Sequence, residues 1–94
     1  MIAVLKLTTG EEIVGEVVGD VNSVTVTVKN PCVLQMVPHR SNPEQASVAL
    51  IPIAMHIEGH TIPIKESHII WMVTPVKELY SQYNSVFGAG IQLL

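Results

Sequence analysis

Basic residues are scarce in this chain. Lys6, Lys29, Arg40, Lys65 and Lys77 are the full set, against eight aspartates and glutamates, for a net charge of −3. A protein that coats nucleic acid through its phosphates carries a basic patch. Five scattered cations make no patch, which argues against non-specific DNA or RNA coating and leaves room only for contacts confined to a small site. Cysteine is nearly absent as well. Cys32 stands alone, so no internal disulfide forms, and this suits a reducing cytoplasm. Long hydrophobic runs are also missing. The N-terminal apolar run ends at Leu7, too short for a signal-peptide core with its cleavage site. The longest apolar stretch, Val48 to Ile57, is interrupted by Pro52 and His56 and falls short of the roughly 20 residues that cross a bilayer. The expectation is a soluble, cytoplasmic chain with no membrane contact.

Apolar side chains, by contrast, are abundant: 48% of residues are hydrophobic and only 14% are charged. Ninety-four residues make one domain, 1–94, and a domain of that size has a small core. Two compatible readings absorb the excess. A β-rich core needs Val and Ile, and some apolar surface is buried between subunits.

The order of residues supports the β reading. Ile2 to Leu7 and Glu12 to Val18 read as strands joined by a turn in which Gly10 suits a positive φ. Ser23 to Lys29 alternates valine at 24, 26 and 28 with polar residues, the period-two pattern of a half-buried strand. Asn30-Pro31 bends or bulges the chain before Cys32 to Val37 continues extended. Pro38 to Ser47 is a loop. Val48 to Ile57 reads as a strand, with Pro52 implying an edge or bulge. Glu58-Gly59-His60 turns into the short extended Thr61 to Ile64, and His68 to Val73 is the last strand. After it the grammar changes. Thr74 suits an N-cap and Pro75 a first helical position, and Val76, Leu79, Tyr80, Tyr83, Val86 and Phe87 recur at helical spacing up to Gly88. Five or six short strands and a C-terminal helix indicate a small barrel or sandwich.

Motifs for chemistry are few. Gly10 and Gly15 have the GxxxxG spacing of a phosphate-binding loop, but Glu16 and Val17 stand where Lys and Ser or Thr are needed, and three nearby glutamates repel phosphate. Gly15 instead lets a strand bend where a side chain would crowd its neighbour. His56-Ile57-Glu58-Gly59-His60 has the wrong order for a helical zinc motif and lacks the downstream PCxxC that an HxE deaminase site needs; histidines at a hairpin tip are more often exposed or hydrogen-bonded than metal-bound. Cys32 in an apolar run reads as a buried structural thiol. His39, Arg40 and Asn42 share the long loop, where solvation is the default. Trp71 reads as core or interface, and Tyr80, Tyr83 and Phe87 as packing the helix onto the sheet. No nucleophile–base set or carboxylate pair stands out. The expectation is a protein that is not an enzyme and holds no metal or cofactor.

Val4, Gly10, Ile13, Gly15 and Val17, followed by a turn and an alternating strand, resemble the first half of the Sm-like (LSm) signature. Met55 to Pro75, with its Gly59 turn and the return HIIWMVTP, resembles the second. The likeness spans about residues 2–75 and is nearest to small phage-type members, including the NPCVLQMVP and SNPEQ segments. It implies a strongly bent five-stranded antiparallel barrel over about 2–74, followed by the C-terminal helix at about 75–87. It also implies homo-oligomeric rings of five to seven subunits joined by edge strands, and non-catalytic binding of short single-stranded RNA, as in a phage-encoded regulator of RNA. The family's binding turns map onto Asp20-Val21-Asn22 and Glu58-Gly59-His60, which makes Asn22 and His60 the RNA-site candidates. Here the aromatic of the first turn is Val21, and the Arg of the second is Glu58, a change that adds phosphate repulsion. The second reading is therefore a structural or protein-interaction ring that binds no RNA.

Overall fold

A computed structural model describes residues 1–18, 24–38 and 46–88. Among these residues the chain is mainly β, with six antiparallel strands in one sheet and a single helix near the C-terminus. The strands are β1 (Ile2–Leu7), β2 (Glu12–Val18), β3 (Thr25–Pro38), β4 (Ala46–Pro52), β5 (Thr61–Lys65) and β6 (Ile69–Val73); the helix is α1 (Lys77–Tyr83). The sheet runs β4-β3-β2-β1-β6, and β5 also pairs with β3. It is open: β6 pairs only with β1, and β4 and β5 pair only with β3.

Six strands fall within the expected five or six, but one boundary moves at Pro52. Val48 to Ile57 was expected as one strand, but the strand is Ala46–Pro52, and the chain then leaves the ladder. The Ile53 amide still reaches the Pro31 carbonyl at 3.1 Å, after which Ala54 to His60 form tight turns. The chain rejoins the edge of β3 as β5. The two expected segments around Asn30-Pro31 are instead one 14-residue strand. A proline is tolerated there because the β2–β3 register shifts between Val14 and Glu16, so the missing N–H falls at a bulge. Asn30 takes a left-handed φ of 51° at the same place. Gly15 faces this kink. A side chain on Gly15 would meet Val28 Cγ1, the Lys29 carbonyl and the Pro31 Cα.

The two faces of the sheet bury different sets. On one, Ala3 and Leu5 of β1, Ile13 of β2, Val26 and Val28 of β3 and Ile64 of β5 form one cluster, joined by Ile69 and Met72 of β6. No second layer of described residues covers this side, yet Leu5 and Val28 are fully buried. The sheet must therefore curl so that its own strands enclose these side chains. The other face packs Val4, Val14, Cys32, Leu34 and Leu50 beneath Leu79, Tyr83 and Phe87.

The helix is shorter than expected. Its N-cap is Val76, not Thr74, and α1 spans Lys77–Tyr83, followed by one wider π-type turn at Asn84–Gly88. Val76 keeps ψ at 158° while its carbonyl accepts the Tyr80 amide at 3.0 Å, so Thr74 and Pro75 lie before the helix. The buried stripe is Leu79, Tyr83 and Phe87, an i, i+4 ladder. Tyr80 is 45% exposed and does not pack on the sheet as expected, because it lies one residue off that stripe. No helix among the described residues is long and apolar enough to cross a membrane.

Candidate nucleic-acid interface

Of the two RNA-site candidates, Asn22 lies outside the described residues, as do His39, Arg40 and Asn42. His60 is described. It closes a 3₁₀ turn, Glu58–His60, with φ values of 76° at Gly59 and 54° at His60. A left-handed histidine is uncommon, and here it is held from both sides. Its amide donates to the Ile57 carbonyl at 2.9 Å, and its ring Nδ1 lies 3.0 Å from the Ala54 carbonyl. A carbonyl only accepts, so Nδ1 carries the proton and the neutral ring keeps Nε2 as an acceptor. The ring is exposed, and Glu58 is exposed in the same turn. This arrangement offers one oriented acceptor for a base N–H beside a negative charge that repels a phosphate.

The structure does not gather His56, Glu58 and His60 into a metal site; among the described residues no group of three His, Cys, Asp or Glu could hold an ion. Cys32 is buried, as expected. Burial pushes its thiol from 9.0 up to about 11. The folded state therefore holds that proton more tightly, and this contribution to stability is complete below about pH 9 and lost as pH rises towards 11. Cys32 is expected to resist a disulfide reagent at pH 8 until denaturant is added; fast labelling of the native protein would show that the site opens. Tyr83 lies against it. Its hydroxyl donates to the Asn30 carbonyl at 2.9 Å and the Lys29 carbonyl at 3.2 Å. Burial, then Cys32 and Glu16, raise its pKa far above the usual phenol value.

Apolar side chains remain at both ends of the sheet. On β6, Ile70, Trp71 and Val73 are exposed; past β4, Ile53, Met55 and Ile57 are exposed too. Trp71, at 39% exposed, is not part of the core. A further feature was missed in the sequence. Leu34 and Met36 of β3, Val48 of β4 and Val76, Leu79 and Gln82 line a groove of about 370 Å³, together with Glu12 and Glu78. The period-two series Cys32, Leu34, Met36 was its one legible signal.

No protein-family model matches the chain, and no curated protein matches it.

Proposed function

We propose that this chain is a non-catalytic Sm-like subunit of the cytoplasm, whose copies join by their sheet edges into a ring of five to seven and bind short single-stranded RNA. The observation that supports assembly most is the coincidence of unpaired strand edges with exposed apolar side chains at β6 and beyond β4. Edge pairing between copies satisfies backbone groups and removes that apolar surface from water. RNA binding rests on the resemblance of the two turns and on the oriented Nε2 of His60, repeated once per subunit. A second reading, a ring that binds protein and no RNA, is favoured by the exposed Glu58 in the His60 turn and the net charge of −3.

Solution mass and fluorescence anisotropy separate these readings. The expected mass at micromolar concentration is a closed multimer; a monomer would overturn the ring. Labelled oligo-U or oligo-A is expected to bind saturably at physiological salt. His60→Ala and Asn22→Ala are each expected to weaken binding about fivefold, the worth of one hydrogen bond. A multimer that binds neither RNA even at low salt supports the second reading.

A further inference from the structure

The groove between α1 and the β3–β4 hairpin is lined mostly by apolar side chains, and both of its described charged groups are carboxylates. Met36 is 65% exposed and Val76 67% exposed, although both face one concavity. Its volume lies at the small end of ligand pockets, suited to a short anchor. Glu12, on β2, and Glu78, in the first turn of α1, also line the groove and form no ion pair among the described residues. The basic residue nearest Glu12 in the ladder is Lys6, directly across from it, but the Lys6 ammonium is engaged 3.0 Å from the Gly10 carbonyl. Gln82 spends one amide N–H on the Val48 carbonyl at 2.7 Å and carries no charge. No lysine or arginine is among the described lining residues.

We propose that this groove docks a partner protein segment in which a leucine-like side chain is flanked by lysine or arginine. The apolar lining takes the anchor, and the carboxylates of Glu12 and Glu78, which form no ion pair among the described residues, take the cations. Met36 has an unbranched thioether that adapts to different anchors. Two carboxylates with no lysine or arginine in the described lining repel an anionic ligand, so neither an RNA backbone nor an acidic lipid surface fits this face. The chain's own terminal residues, Ile91 to Leu94, carry no cation and would leave both carboxylates unmatched. The proposal does not rest on the RNA reading, and because the groove takes in Val48 of the edge strand β4, its test separates a peptide partner from contact between copies.

The test uses the full chain and a fluorescein-labelled peptide of leucines flanked by lysines. The expected result is saturable binding that weakens about tenfold in Glu12→Gln/Glu78→Gln, is unchanged in Glu66→Gln, and is absent for the same peptide with glutamates in place of lysines. Amide shift changes are expected to centre on Met36, Val48, Val76 and Leu79. Equal weakening by Glu66→Gln would mean bulk charge attraction and would overturn the proposal. So would a tenfold gain in Ile91→Ser/Leu93→Ser, since the chain's own tail would then be the occupant. A Met36→Glu variant that lowers the solution mass would also overturn it, by assigning the groove to contact between copies.

Discussion

Replacing Gly15 with valine is expected to destabilise the fold by about 3 kcal/mol or more, at the upper end for over-packing. The expected drop in Tm is well over about 10 °C for a domain this small. The cause is a close approach rather than a special φ. A Cβ at residue 15 overlaps Val28 Cγ1 and lies 3.2 Å from the Lys29 carbonyl and 3.3 Å from the Pro31 Cα. A side-chain tip could move aside, but backbone cannot move cheaply here. Lys29 is held by the ladders to Glu16 on one side and Thr61 on the other, and its carbonyl also accepts from Tyr83. Gly15→Ala meets the same atoms and should lose a large part of the same stability. Urea unfolding of both variants at one fixed protein concentration gives the measurement, since assembly makes midpoints concentration-dependent. A soluble Gly15→Val protein of unchanged stability would falsify the close-approach argument.

Tyr83 carries the second large effect. It is 2% exposed among Val4, Val14 and Cys32, and its ring sits 4.9 Å from that of Phe87 at 42°. Truncation to alanine removes the one fully buried side chain of α1 and leaves a cavity, for an expected loss of about 3–5 kcal/mol. Tyr83→Phe keeps the packing and removes only the donor. Because one hydroxyl serves the carbonyls of both Lys29 and Asn30, and Asn30 would keep only the long 3.9 Å contact from the Cys32 thiol, the expected loss is about 1–3 kcal/mol, the cost of acceptors that lose their main donor. If Tyr83→Phe proved neutral, those carbonyls would have to be served by other donors, water or the Cys32 thiol. Near-ultraviolet circular dichroism with urea titration distinguishes a loosened helix from a globally unfolded chain.

Several local features were legible because their causes are local. Gly10 has a φ of 98°, as a tight turn after Leu7 requires. Valines 26 and 28 point into the curled core, as strict alternation demands. Leu79 and Tyr83, four residues apart, pack on the sheet. Other features were illegible because partners distant in sequence decide them. Asn30-Pro31 marks a bend or bulge in the sequence, and the register does shift opposite Gly15, but that β3 runs on through it as one strand depends on its pairing with β2. Val48 to Ile57 looked like one strand, yet the ladder ends at Pro52. Tyr80 and Tyr83 are alike as residues, and only the docking angle of α1 exposes one and buries the other. Of the RNA-site candidates, the lock between His60 Nδ1 and the Ala54 carbonyl could not be read from HIEGH, because it depends on how the chain leaves β4.

By itself the sequence determined a mainly β domain with a C-terminal helix, the Gly10 turn, the need for open space at Gly15 and a lone buried thiol. Each follows from short-range periodicity, from glycine's missing side chain, or from a cysteine set among apolar neighbours. Only the tertiary structure decided that the sheet stays open with apolar edges, that Tyr83 bridges the helix to the β3 kink, and that Glu12 and Glu78 come together beside one apolar groove. The physical reason is that these arrangements depend on distances between residues far apart in sequence, set when two faces of a curled sheet bury their side chains at once.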